Sequence, residues 1–370
     1  MTRRATRVAA RAVDGMRQPP PVGPPRELSL CNERKLSSRK GVQRDGSRAT
    51  APHNRKPRAS GTRPDARFEQ LQCCGLPRIR ARRLRPLPTH DMNLVIQSPA
   101  PLPAVHHKPL LALARGSRLT PLDDYALRID DAVPGQRADL DVYCGTHRLD
   151  YAFVEAGRTL ADFGLVAMDM DSTLITIECI DEIADFCGLK AEVAAITEAS
   201  MRGEIKDFNE SLTRRVALLK GLDAGALERV YEERLQLSPG AEQMLAGAKA
   251  AGLKTLLVSG GFTFFTERLK ARLGLDYTHA NTLEIVDGKL TGRVSGEIVN
   301  ADVKARTLVQ TCAQLGIEPR RAIAMGDGSN DLKMMAEAGL SVAFRAKPVV
   351  REAASVAFNF VGLDGLLRLL

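Results

Sequence analysis

Three short apolar runs, Phe163–Met168, Leu253–Val258 and Ile323–Met325, each stop in a polar cluster, and this repeat constrains the chain more than any other feature. The clusters are Asp169-Met-Asp171, Ser259-Gly-Gly261 and Gly326-Asp-Gly-Ser-Asn-Asp331. Apolar runs of this length, separated by helical periods, read as strands buried on both faces of a parallel sheet. Helices then cover both faces of that sheet, and the polar clusters gather at one carboxyl edge, where open α/β sheets bind ligands. Asp169 and Asp171 lie two apart, so in extended backbone both carboxylates project to one side while Met170 points away.

At 370 residues the chain is long enough for two or three domains, and its net charge of +9 is unevenly spread. Residues 1–91 carry +15 and the remainder −6, so the basicity belongs to an N-terminal tail. That tail holds 11 of the 20 prolines and one aromatic, Phe68, which is too little apolar surface to offset the entropy of ordering it. It reads first as upstream sequence translated by a mis-assigned start, with Met92 the true beginning, and second as a disordered basic tail. A nucleic-acid arm ranks last, because the interleaved aromatics of a stacking surface are missing. A transit peptide fits its arginines but not Pro19-Pro20-Pro21, which would break an amphipathic helix early. Seven cysteines without framework spacing suit reduced thiols in a cytoplasmic protein, and no apolar stretch is long enough for a membrane span.

Residues 92–160 read as a small α+β domain: a strand from Met92 to Gln97, a short helix over Lys108–Gly116, and a half-buried strand over Arg137–Cys144. Residues 161–370 form the α/β part. Between its first two strands, residues 175–238 show four helical periods and nothing strand-like, which predicts a helical cap over the carboxyl edge of the sheet. Further on, Asp287-Gly288 predicts a two-residue hairpin, Arg306–Leu315 a helix, Leu340–Phe344 a strand, and the chain closes on a Leu-rich helix.

Gathering Asp169, Asp171, Asp327 and Asp331 on one edge demands a counter-charge. Carboxylates without nearby His or Cys select a hard cation, Mg²⁺ before Zn²⁺. Ser259 offers a hydroxyl, Gly260 and Gly261 offer bare amides at the start of the next helix, and Lys304 adds a cation of the kind phosphate sites use. Asp169 is then placed to attack phosphorus as a nucleophile, and Asp171, beside another carboxylate, to carry a proton. Singly, each feature has a plainer reading: an Asp-rich turn, an ordinary strand-to-helix turn, a solvated lysine.

In order and at this spacing, Asp169-Met-Asp171-Ser-Thr173, Ser259-Gly-Gly261, Lys304 and Gly326–Asp331 resemble the four motifs of the haloacid dehalogenase (HAD-like) superfamily. The resemblance implies a Rossmann-like core, Asp169 as nucleophile and Asp171 as acid and base. It also implies Mg²⁺ held by Asp169, the Asp171 main-chain carbonyl and Asp327, with Asp331 close by. Ser259, Gly260, Lys304 and Asn330 would contact the phosphorylated substrate. Within that superfamily, Glu178, Ile180-Asp-Glu-Ile183, Met201, Phe208, Arg215–Lys220 and Ser259–Phe262 resemble the phosphoserine phosphatase family. There a cap glutamate binds the substrate ammonium and a cap arginine its carboxylate, roles that fall on Glu178 and Arg215, with Met201 and Phe208 covering the site. The implied reaction is Mg²⁺-dependent hydrolysis of O-phospho-L-serine, the last step of L-serine biosynthesis. Phosphohomoserine as substrate, phosphate transfer to an alcohol, and a nucleic-acid binder with a vestigial phosphatase core are the alternatives. Residues 92–160 stand where some members carry an ACT-like domain, and a homodimer is left open.

Overall fold

The computed structural model describes residues 92–202 and 204–370, so the readings of residues 1–91 lie outside the described residues. The chain opens with β1 (Met92–Gln97), α1 (His107–Ala114), β2 (Arg118–Asp123), β3 (Ala126–Asp130), α2 (Arg137–His147) and β4 (Asp150–Glu155). These strands form an antiparallel sheet in the order β2-β3-β1-β4, a split βαβ topology. Alternation along β1 splits its side chains: Leu94 and Ile96 pack against α1 and α2, whereas Val95 joins the main core with Ala152 and Val154 of β4.

Arg137–Cys144, expected as a strand, is instead the body of α2. Leu140 and Cys144, four residues apart, are buried on one face while Val142 is exposed, so the short polar–apolar alternation was one stripe of a helix read at the wrong period. The expected helix over Lys108–Gly116 is α1, which ends at Arg115 in the left-handed conformation (φ 51°).

The larger part begins with β5 (Leu165–Met168), followed by four helices, α3 (Cys179–Asp185), α4 (Lys190–Met201), α5 (Phe208–Leu218) and α6 (Gly225–Glu233). Next come α7 (Ala241–Ala250), β6 (Lys254–Phe262), α8 (Thr263–Leu273), the hairpin β7 (Tyr277–Val286) and β8 (Lys289–Ser295), and α9 (Ala301–Gln314). The chain ends with β9 (Ala322–Gly326), α10 (Leu332–Glu337), β10 (Leu340–Phe344), α11 (Pro348–Ala353), β11 (Val356–Phe358) and α12 (Gly365–Leu369). The sheet order is β11-β10-β9-β5-β6-β7-β8, parallel except for β8. In β5, Leu165 and Ala167 pack into one core cluster and Val166 and Met168 into the other, which is why the run carries no charge.

Two positions depart from expectation near the carboxyl edge. The strand expected to stop at Val258 continues to Phe262, so Ser259-Gly-Gly261 belongs to β6 and not to the start of α8. Its pairing with β7 shifts register between Val258 and Phe262, an irregularity that the two glycines accommodate. The helix expected from Arg306 starts earlier, at Ala301, because Asn300 caps it by accepting from the Asp302 and Val303 amides.

Helices α3 to α6 stand on a paired stem, with Thr176 N–H donating to Gln236 O at 2.9 Å and Ser238 N–H to Leu174 O at 2.9 Å. They are also tied to the hairpin: Ala224 N–H donates to Gly288 O at 2.8 Å and Leu290 N–H to Leu222 O at 2.8 Å.

Candidate active site

Register brings the motifs together. Met168 lies opposite Leu257 of β6 and Met325 of β9, so the residues that follow on all three strands leave the sheet at one level. Asp169 is buried there, its Oδ1 accepting from the Met170 amide at 2.7 Å and its Oδ2 paired with Lys304 Nζ at 2.7 Å. Lys304, reached from α9, is fully buried and also contacts Asp331 Oδ1 at 2.8 Å. Burial alone would lower the lysine pKa, but two carboxylates outweigh it and hold the ammonium well above the ordinary range. The plain reading of Lys304 as a solvated surface residue is thereby excluded.

Oxygen atoms of Asp169, Asp327 and Asp331 come within 4.8 Å of one another. Burial, followed by repulsion from Asp169, lifts Asp327 to about 7 and Asp331 to about 6; the one lysine that Asp331 shares with Asp169 does not offset this. Three oxygen donors with no histidine or cysteine among them fit a hard cation, which would reverse these shifts. Both Asp331 oxygens are already engaged, by Lys304 and by the Gly328 amide at 3.1 Å, as both Asp169 oxygens are by Met170 and Lys304. Gly326 must lack a side chain, because a Cβ there would run into Asp331.

Asp171 sits next to the Asp169 cluster but outside it. Its Oδ1 accepts from the Cys179 amide at 3.1 Å, and its Oδ2 approaches Gly261 so closely that a Cβ there would lie 2.6 Å away. Burial and then the Glu178 charge raise its carboxyl well above the usual range, against the Cys179 hydrogen bond. The chain leaves the motif through Ser172 in the left-handed conformation (φ 55°), which turns its hydroxyl to donate to Glu178 Oε1 at 2.7 Å. Thr173 Oγ1 donates to Asp327 Oδ1 at 3.2 Å. Neither role was anticipated from sequence, although both hydroxyls belong to the motif itself.

A cleft of about 450 Å³ separates this edge from the helices above it, and Asp169, Asp171, Glu178, Arg215, Ser259 and Asp327 line it together. Phe208, Gly260 and Asn330 line it too, with Phe208 placed so that a Cβ on Gly260 would meet its ring at 3.0 Å. Of the residues singled out from sequence, only the Met201 side chain lies outside the described residues. Glu178 is reached by water yet crowded by protein; that crowding raises its carboxyl despite the Ser172 bond. Arg215 is half-buried, its guanidinium drawn down by burial and held up by Asp181, Glu178 and Asp171. Only one of the two glycine amides expected to face an anion is available, since Gly261 N–H donates to Ser259 Oγ at 2.8 Å. Sequence reasoning passed over two further charged residues on the cleft wall, Asp181 and Lys347. Asp181 lies within the Ile180-Asp-Glu-Ile183 stretch but was given no role, and Lys347 lies in none of the stretches singled out, so only the folded chain places them on the wall.

Comparison with known proteins identifies relatives of this chain. The family model of haloacid dehalogenase-like hydrolases matches residues 166–336, and one for a domain of unknown function matches 94–140. The ACT-like expectation for the small domain therefore finds no support beyond its topology. A phosphoserine phosphatase from Polaromonas sp. is 62% identical over 214 residues, covering 57% of this chain and 91% of that protein. A solved structure of a probable phosphoserine phosphatase from Vibrio cholerae superimposes with a TM-score of 0.66 at 39% identity, over 76% of this chain and 87% of its own. A phospho-aspartyl intermediate analogue of a phosphoserine phosphatase superimposes with a TM-score of 0.53 at 39% identity, over 56% of this chain and 99% of its own. The chain belongs to the phosphoserine phosphatase family of haloacid dehalogenase-like hydrolases.

Proposed function

We propose that the protein hydrolyses O-phospho-L-serine to L-serine and phosphate through an aspartyl-phosphate on Asp169, with Mg²⁺ held by Asp169, the Asp171 main-chain carbonyl and Asp327, and Asp331 beside them. The observation that carries this reading is the shared cleft, in which a nucleophile, a proton carrier and an Arg–Glu pair suited to an amino acid face one another. The names of its relatives support the substrate, and the phospho-aspartyl analogue of one relative supports the intermediate.

Ser259, the Gly260 amide and Lys304 bind the phosphoryl oxygens, with Asn330 at the edge of the pocket. Mg²⁺ supplies charge neutralisation and Lewis acidity toward the phosphoryl group. Asp169 attacks phosphorus while Asp171, protonated because burial and Glu178 raise its carboxyl, gives its proton to the departing serine alkoxide. Asp171, now a carboxylate, takes a proton from the water that attacks the phosphoaspartate, returning both residues to their starting states. Arg215 grips the substrate carboxylate as a fork and Glu178 faces its ammonium, while Phe208 shields the phosphate loop. We place the enzyme in the cytoplasm, in keeping with free Cys144, Cys179, Cys187 and Cys312; no helix among the described residues is long and apolar enough to cross a membrane.

Phosphate release from O-phospho-L-serine, measured with Mg²⁺ and again with EDTA beside phosphohomoserine and p-nitrophenyl phosphate, tests the proposal. Phosphoserine should be strongly preferred and EDTA should abolish turnover. Activity confined to the aryl phosphate would overturn the roles of Glu178 and Arg215 but leave the core chemistry standing.

A further inference from the structure

We propose that Asn281 is a positioning residue that holds the two halves of the phosphate-binding pocket, the Ser259-Gly260 loop and the helix bearing Lys304, in register. The inference rests on the reading that these residues bind phosphate. Asn281 lies on β7, paired with Phe262 of β6, and only 2% of its surface is exposed. Its Nδ2 donates to Gly260 O at 2.7 Å and its Oδ1 accepts from Val299 N–H at 2.8 Å. The orientation of the amide is unambiguous, because a carbonyl only accepts and an N–H only donates.

The Gly260 contact falls where the strand register shifts. The β6–β7 ladder is broken between Val258 and Phe262, across Ser259-Gly260-Gly261, and the Asn281 amide supplies a donor to the Gly260 carbonyl at that break. A peptide unit whose carbonyl is held has its plane held, so this bond fixes the Gly261 amide, which donates to Ser259 Oγ at 2.8 Å and so orients that hydroxyl. On its other side, Asn281 fixes Val299, the residue before Asn300, which caps α9 through the Asp302 and Val303 amides. Lys304 lies on the first turn of that helix, its own amide donating to Asn300 O at 2.9 Å. One buried side chain thus spans from the cleft-lining Ser259-Gly260 loop to the start of the helix that carries Lys304, itself paired with the cleft-lining Asp169. It touches neither substrate nor reacting atoms.

The test uses the full-length protein with Mg²⁺ and the variants Asn281→Asp and Asn281→Ala. Asn281→Asp keeps shape and the acceptor for Val299 but loses the donor to Gly260; Asn281→Ala loses both. The readouts are kcat and KM on phosphoserine and on p-nitrophenyl phosphate, inhibition by orthophosphate, and the thermal midpoint. A positioning role predicts that kcat/KM falls on the order of tenfold or more, equally on both substrates, with orthophosphate inhibition weakened in parallel. A merely structural amide would lower the thermal midpoint while kcat/KM per folded molecule and orthophosphate inhibition stay within about twofold of the wild type, and that result overturns the proposal. A loss confined to phosphoserine overturns it too, since the defect would then lie in the amino-acid contacts of the cap. If Asn281→Ala does not fold, the isosteric variant decides. Failure of the wild-type protein to release phosphate from any monoester would instead sink the proposed function itself, independently of the variants.

Discussion

Lys304 and Asp169 form a buried pair around which the remaining acids are placed, and the chemistry of single residues follows from that placement. Asp169→Asn should leave no acid-stable phosphoenzyme when the protein is quenched during turnover; labelled enzyme from this variant would refute covalent catalysis. Asp171→Asn should lower turnover of phosphoserine roughly 10²–10⁴-fold, the usual range for losing a general acid. Formation of the phosphoenzyme should be largely spared with p-nitrophenyl phosphate, whose departing phenolate needs little help from a proton. Hydrolysis of the phosphoenzyme, in which Asp171 is the base, should slow on both substrates; equal slowing of formation on both would assign Asp171 another role. Arg215→Ala should reduce kcat/KM for phosphoserine by about tenfold to a hundredfold, the worth of a charged hydrogen bond, and spare the aryl phosphate. Equal losses would make Arg215 a structural residue of α5. The motif residues were legible in sequence because each is an exception to its surroundings, a polar group at the end of an apolar run. Thr173, Asn281 and Asp181 are not exceptions of that kind, and their roles come from partners 154, 21 and 18 residues distant or from the cleft they line.

At the scale of elements, the cap is attached by more than its stem. Backbone bonds tie Gly221, Leu222 and Ala224 to the β7–β8 hairpin, and Asn300 Nδ2 donates to Asn209 Oδ1 at 3.1 Å, joining the capped end of α9 to α5. Asn209→Ala removes that side-chain link yet leaves the Asn300 cap of α9 intact. It should raise KM for phosphoserine several-fold with little change in kcat, because α5 also carries Phe208 and Arg215 and is loosened over an otherwise complete core. An unchanged KM would mean that the hairpin alone positions the cap. The helices of the cap were readable from their 3.6-residue periods, but the attachment was not, since main-chain hydrogen bonds leave no pattern in side chains. Arg137–Cys144 shows the converse limit: eight residues contain too few turns to separate a period of two from one of 3.6, and burial of Leu140 and Cys144 against β1 and β4 decides for a helix.

For the molecule as a whole, the small sheet and the large one share a core, and Asp150 of β4 accepts the Phe360 and Val361 amides at 2.8 and 2.9 Å and the Asn359 amide at 2.9 Å. Asp150→Ala should cost about 2–5 kcal/mol in denaturant unfolding by leaving those amides unpaired, with the chemistry per folded molecule unchanged. Stability also depends on pH through the acid cluster. Asp327, at about 7, and Asp331, at about 6, bind protons more tightly folded than unfolded, so metal-free protein should lose stability as pH rises from about 4 through 7. Mg²⁺ should raise the thermal midpoint most at the upper end of that window, where protons no longer compete for the carboxylates. A metal-free midpoint that is flat over this window would mean that the cluster is not strained in the folded state. The sequence by itself determined the parallel sheet and the three polar strand ends that meet at one edge, because burial on two faces leaves few residue choices. Only the tertiary structure decided which groups meet: that Lys304 is buried between Asp169 and Asp331, that one glycine amide is already taken by Ser259, and that Asn281 bridges the loop to α9. The physical reason is that side-chain type reports a residue's own solvation, whereas pairing depends on strand register and helix placement, which are set by packing across the whole chain.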